Sequence, residues 1–190
     1  MQTLLRPAIS LFCLLTLVTG VAYPLAVTLV AQLAFPHQAN GSLIVRDGRV
    51  VGSELIGQTF TSPQYFWGRP SATGGSTYNG AASGGSNLGP SNPALVDAVT
   101  ERVAVLRSAA PEQSGPVPID LVTTSGSGLD PQMSIAAAKY QAGRVALSRG
   151  KDVAVIQALI EKHAERPAVP GLSEPVVNVL ALNLALDGME

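Results

Sequence analysis

Cysteine is almost missing from this 190-residue chain: Cys13 stands alone, inside an apolar stretch. One thiol excludes a disulfide within the chain and leaves the redox compartment unread. Aromatic residues are few, with four Phe, four Tyr and one Trp, whereas 19 Gly and 14 Pro are many. That balance points to a loop-rich domain shaped by backbone turns. Charge is sparse and mixed, with a net value of −1 and no block of one sign. This argues against a nucleic-acid partner and against a polybasic membrane patch. The two histidines, His37 and His163, have no Cys, Asp or Glu at metal-ligand spacing, so no metal site is expected.

Catalytic and nucleotide signatures are missing too. Nothing matches G-x-x-x-x-G-K-[ST]. Gly126-Ser127-Gly128 opens like a dinucleotide fingerprint, but Pro131 stands where the third glycine belongs. Ser86 follows Gly84 without the second glycine of a nucleophile elbow, and Ser148 to Lys151 matches S-x-x-K without its companion motifs.

What is present begins with one long apolar run over residues 7–35. No formally charged side chain lies between Arg6 and Arg46. As a helix this run spans roughly 40 Å, more than a hydrocarbon core of about 30 Å. Gly20-Val21-Ala22 has the small residues of a cleavage site, but the run continues a dozen residues beyond it. An uncleaved span is therefore expected. Arg6 and the amino terminus favour a cytoplasmic N-terminus with the following domain outside. Pro24 cannot donate to the helix, so a kink is expected near Gly20 to Pro24. Thr16 with Gly20, and Ala22 with Ala26, are small-xxx-small pairs, and Tyr23 is a polar tip near mid-span. Thr16, Gly20, Tyr23, Pro24 and Ala26 are accordingly the expected docking residues for a partner helix.

The reading is an α+β protein: an N-terminal tail over 1–6, a transmembrane helix over 7–35, a neck over 36–42 and one mixed soluble domain over 43–190. Gln38, Ala39 and Asn40 are the neck residues that set the domain's pose. Asp47-Gly48 predicts a two-residue hairpin turn between 43–45 and 49–51. Short strands are expected over 55–66 and a buried strand over 119–123, with a long Gly/Ser/Asn/Pro loop over 71–93. Helices are expected after the Asn92-Pro93 cap to about Leu106 or Ser108, over 134–148 with an interruption at Gly143, from Asp152 through Ile160, and over 176–186 capped by Ser173 or Glu174. Two Gly-Ser loops, 82–87 and 125–128, expose backbone N–H groups that either cradle an anion or make tight bracing turns.

Several segments resemble the C subunit of the Kdp potassium-transporting ATPase. They include Thr19-Gly20-Val21-Ala22-Tyr23-Pro24-Leu25, Phe35-Pro36-His37-Gln38-Ala39-Asn40-Gly41-Ser42 and Val51-Gly52-Ser53-Glu54-Leu55-Ile56-Gly57-Gln58. Tyr65-Phe66-Trp67-Gly68-Arg69-Pro70, Ser83-Gly84-Gly85-Ser86-Asn87-Leu88, Ser125-Gly126-Ser127-Gly128-Leu129-Asp130 and Val176-Val177-Asn178-Val179-Leu180 extend the resemblance nearly end to end. Gln132-Met133 and the 111–118 segment depart from the pattern. The resemblance implies a single-span, non-catalytic accessory subunit in a bacterial inner membrane. Its implied partners are a P-type ATPase subunit, a potassium-channel-like subunit and a small hydrophobic subunit. Its implied role is to stabilise the assembly and raise the catalytic subunit's affinity for ATP.

Ser83, Gly84, Gly85, Ser86 and Asn87 also resemble part of the signature loop of ABC transporters, which implies ATP as a ligand there. Contact with cytosolic ATP needs a cytoplasmic domain. With the domain outside, an effect on ATP affinity travels through the span as linkage. Two alternatives from other classes are an anchored serine hydrolase using Ser86 or Ser127 and a stand-alone extracytoplasmic ligand sensor.

Overall fold

The computed structural model describes residues 2–167, 169, 171 and 173–189. Met1 and Glu190, the outer limits of the expected tail and domain, lie outside the described residues. The chain forms two compact units, Met1–Val51 and Gly52–Glu190.

In the first unit, α1 (Gln2–Leu17), a π segment (Val18–Ala22) and α2 (Tyr23–Ala34) follow one another without a break. The residues expected as a tail are thus helical from Gln2. Leu4–Ala34 is long and apolar enough to cross a membrane, at 31 residues or about 46 Å at 1.5 Å per residue. None of it is buried within the chain. The helix breaks at Phe35 (φ −137°, ψ 55°), where Pro36 opens a single turn, α3 (Pro36–Ala39). Gly41 and Ser42 then take positive φ and redirect the chain into β1 (Leu43–Arg46). Asp47 and Gly48, at φ 51° and 74°, join β1 to β2 (Arg49–Ser53) as the expected two-residue turn.

In the second unit, residues 55–92 contain no regular element beyond the Ser53–Ile56 bridge. Then come α4 (Pro93–Ala109), a 3-10 turn (Ile119–Leu121), β3 (Gln132–Ser134), α5 (Ile135–Arg149), α6 (Val153–Lys162), β4 (Val176–Asn178) and α7 (Val179–Asp187). β3 and β4 pair antiparallel, Met133 opposite Val177. The core forms around α5, whose Ala137, Ala138, Ala142, Val145 and Ala146 are buried with Ile156 and Ile160 of α6, Leu182 and Leu186 of α7, and Phe66. Small residues along α5 let its neighbours approach closely.

The starts of α4, α5, α6 and α7 are specified locally. Asn92, Ser134, Asp152 and Asn178 accept hydrogen bonds from the N–H groups of Ala94, Ala137, Ala154 and Ala181. Ser134 and Asn178 are also the last residues of β3 and β4, so each strand feeds directly into its helix. Asp120 accepts from the Ser134 N–H at 2.8 Å and so satisfies the cap residue itself.

Several expectations are corrected. Residues 119–123 start a 3-10 turn, because Asp120 is drawn to the α5 cap. Residues 176–178 form a strand against β3, which moves the α7 cap from Ser173 or Glu174 to Asn178. α5 runs through Gly143 unbroken.

The segment 55–66 is not a set of strands, because side chains take the backbone bonds that strands would have used. Asn183 accepts from the Phe66 N–H at 2.8 Å and donates to its carbonyl at 3.0 Å. Gln141 does the same for Trp67, at 2.9 and 3.0 Å. Arg144 donates to the carbonyls of Pro63 and Tyr65 and lies 4.1 Å from the Trp67 ring centroid. Phe66 is thereby held in the core with both of its backbone polar groups satisfied.

Candidate interaction sites

The expected docking residues are distributed over three helical segments. Thr16 lies in α1, Gly20 in the π segment, and Tyr23, Pro24 and Ala26 in α2; all are exposed within the chain. Near Gly20 to Pro24, where a kink is expected, the helix forms this π segment. Tyr23 donates its N–H five residues back, to the Val18 carbonyl. Pro24 follows with no N–H at all. A π turn inserts about one residue, which advances later side chains by about 100° relative to an unbroken α-helix. The Thr19 hydroxyl is turned back onto the Leu15 carbonyl at 2.7 Å. A Cβ on Gly20 would meet nothing within 4 Å, so this side of the helix is open.

In the neck, Gln38 and Ala39 complete the α3 turn, and Asn40 carries the polar work. Its amide donates to the Pro36 carbonyl at 2.7 Å and to the Gln32 side chain at 3.2 Å. Gln32 is in the last turns of α2, so this amide pair clamps the corner at Phe35. The Ser42 N–H closes onto the His37 carbonyl at 3.0 Å, and Ser42 is buried.

The structure brings the two Gly-Ser loops together. Gly84 donates its N–H to the Ser127 carbonyl at 2.8 Å, and the Ser83 hydroxyl reaches the same oxygen at 3.1 Å. The Thr124 hydroxyl bonds Ser86 at 3.1 Å. Contact is tight: a Cβ on Gly85 would lie 3.1 Å from the Gly126 carbonyl, and one on Gly128 would lie 2.6 Å from that of Gly84. Gly128 holds φ +67°, and Asn87 (φ 53°) supplies another left-handed turn. Among the five residues read as a nucleotide loop, the Gly84 N–H is therefore spent inside the protein. These hydrogen bonds brace one loop against the other.

A further polar cluster had no sequence signal beyond the place of Arg69 and Asp130 in the resemblance. Arg69 pairs with Asp130 at 2.9 Å beside a cavity of about 370 Å³. Tyr78, at φ 54°, donates its hydroxyl to the Arg69 carbonyl at 2.6 Å and its N–H to Ser71 at 2.9 Å. Burial, and then the charge of Asp130, raise the Tyr78 phenol above its ordinary value, while Arg69 opposes them. Gly57 and Gly68 lack the Cβ atoms that would strike Tyr78, so the ring fills space those glycines leave. Deeper in, burial lowers Arg144 to about 10, and it remains a cation at neutral pH. Neither Ser86 nor Ser127 bonds a histidine among the described residues. Ser127 accepts from the Leu129 N–H, and the ring of His163 lies on the Leu159 carbonyl at the end of α6.

The family described as KdpC, K+-transporting ATPase, c chain, matches residues 5–188. The chain is 60% identical over 190 residues to the potassium-transporting ATPase KdpC subunit of Polaromonas naphthalenivorans, covering all of this chain and 97% of that one. It is 57% identical over 187 residues to the subunit of the same name from Herminiimonas arsenicoxydans, with 98% of each chain covered. It is 59% identical over 184 residues to that of Sorangium cellulosum, with 97% of each chain covered.

Proposed function

We propose, from the premise that this chain belongs to the KdpC family of K+-transporting ATPase c chains, that it stabilises the assembled pump and raises ATP affinity without contacting nucleotide. Its place as an accessory subunit displaces the hydrolase and sensor alternatives. The partners in this reading are a P-type ATPase subunit that forms the aspartyl phosphate, a potassium-channel-like subunit and a small hydrophobic subunit. The setting is a bacterial inner membrane, crossed once, with the soluble unit outside.

The observation that carries the linkage reading is the internal use of the Gly-Ser loops. With the Gly84 N–H on the Ser127 carbonyl, ATP at Ser83, Gly84, Gly85, Ser86 and Asn87 would have to break a bracing contact to gain its own. A subunit that binds one pump conformation better than another shifts ATP affinity by that difference alone. The helix supports this reading, since none of its apolar window is buried within the chain.

Two measurements test the proposal on the intact complex. Ser76 is exposed, so a Cys13→Ser, Ser76→Cys chain in intact cells reports the side of the membrane through an impermeant thiol reagent. Labelling from outside is expected; protection returns the Ser83–Asn87 loop to contention as an ATP contact. Gly20→Leu fills the open side of the helix and is expected to weaken co-purification with the pump. Normal co-purification of this variant would remove the docking role of the helix.

A further inference from the structure

Thr19 is the midpoint of the apolar helix, with 15 residues of the span on either side. Its carbonyl lacks the donors of both the α and the π register. The α-helical donor, the Tyr23 N–H, is bonded to Val18 instead. The donor one residue further on would be Pro24, which has no N–H. The Thr19 hydroxyl gives no help, because it bonds the Leu15 carbonyl. None of the span's apolar window is buried within the chain. An unpaired carbonyl at this depth is costly, because hydrocarbon supplies no hydrogen-bond donor. Beside it, Gly20 leaves the surface open to close approach.

We propose that the Thr19 carbonyl accepts a hydrogen bond from an O–H or N–H side chain on a transmembrane helix of another subunit, with the π segment shaped to present it. This rests on the docking reading above and adds the chemistry of the partner. A partial negative charge without an internal donor, at the centre of the span, calls for a complementary donor at the same depth. A purely apolar neighbouring helix would cover the surface and leave the carbonyl unpaired. The π register and Pro24 work together: the first diverts the donor at 23, and the second removes the one at 24.

The test observes this oxygen directly. Labelling with carbonyl-13C threonine and 15N glycine selects only the Thr19-Gly20 and Thr73-Gly74 linkages, since no other Thr precedes Gly. In solid-state NMR the Thr19 carbonyl signal is expected to move downfield when the chain in lipid is assembled into the full pump. Thr73 serves as the internal reference. An unchanged Thr19 signal on assembly overturns the proposal, as does a signal already hydrogen-bonded in the isolated chain, which would mark water as the donor. Pro24→Ala restores the N–H and is expected to speed dissociation from the complex by about 3- to 20-fold, the range of single interhelical hydrogen bonds in membranes. If Gly20→Leu dissociates and the Thr19 signal does not move, docking stands and the hydrogen bond falls. If Gly20→Leu co-purifies normally, the docking reading itself has failed.

Discussion

Asn183→Leu is the substitution that most directly tests how the soluble unit is held together. Asn183 and Phe66 are both fully buried, and one amide side chain satisfies both backbone groups of Phe66, at 2.8 and 3.0 Å. Leucine keeps the approximate shape but offers neither donor nor acceptor. Each orphaned buried group costs about 1–3 kcal/mol, so the pair costs about 2–6 kcal/mol. That is a large share of the roughly 5–15 kcal/mol that holds a domain of this size. Asn92→Ala is the control, because it removes a single exposed cap bond worth about 1 kcal/mol. Urea unfolding of the full chain in detergent can be followed through Trp67, the only tryptophan and the neighbour of Phe66. With a denaturant slope of about 2 kcal/mol per molar, Asn183→Leu should lower the midpoint by about 1–3 M. A midpoint no lower than that of Asn92→Ala would falsify the view that side-chain amides replace a sheet ladder here.

Two further outcomes are measurable in the same way. Gly128→Ala forces a Cβ to 2.6 Å from the Gly84 carbonyl at φ +67° and should destabilise by about 1–3 kcal/mol, whereas Gly143→Ala, with open space in the middle of α5, should stabilise by about 0.5–1 kcal/mol. Opposite signs are the result to look for; two losses would mean that the space at Gly143 is used. Tyr78 holds its proton more tightly folded than unfolded, so the folded state binds more protons above pH about 10 and stability falls as pH rises from there. Tyr78→Phe should remove that part of the alkaline loss, and at neutral pH it should cost about 1 kcal/mol for the bond to the Arg69 carbonyl. An alkaline limb identical to the wild type would show that the phenol is not linked to folding.

Features with local causes were legible in the sequence. Asp47-Gly48 specifies its turn through two positive-φ residues, and Asn92-Pro93 and Asp152 specify helix starts through their own side chains. The helix and strand composition and the single candidate span follow from periodicity and from one uninterrupted apolar run. The misread segments have causes distant in sequence. Residues 55–66 have the β-branched and aromatic content of strands, but Phe66 is bonded by a side chain 117 positions away and Trp67 by one 74 positions away. Val176-Val177-Asn178 continues into a helical pattern, and only the pairing with β3 makes it a strand. The two Gly-Ser loops were visible as loops. That they close on each other depends on the approach of Gly85 to Gly126 across some forty residues of chain, which composition does not encode.

The distribution of unsatisfied groups argues for where a subunit like this meets its partners. In the soluble unit, residues 63–67 of the irregular segment have their backbone tied down by Asn183, Gln141 and Arg144, and the Gly-Ser loops are tied to each other. In the other unit the order is reversed. The helix is regular where sequence favours it and departs from α geometry at its centre, where lipid penalises the departure most. A simple tether gains nothing from a proline, a π turn and a bare glycine at that depth, and a helix that needs only to anchor is better served by leucine. These residues make sense together if the span is read by a neighbour. On the function proposed above, a span that prefers one arrangement of that neighbour would bias the pump's conformations, and with them its ATP affinity, without a nucleotide site on this chain.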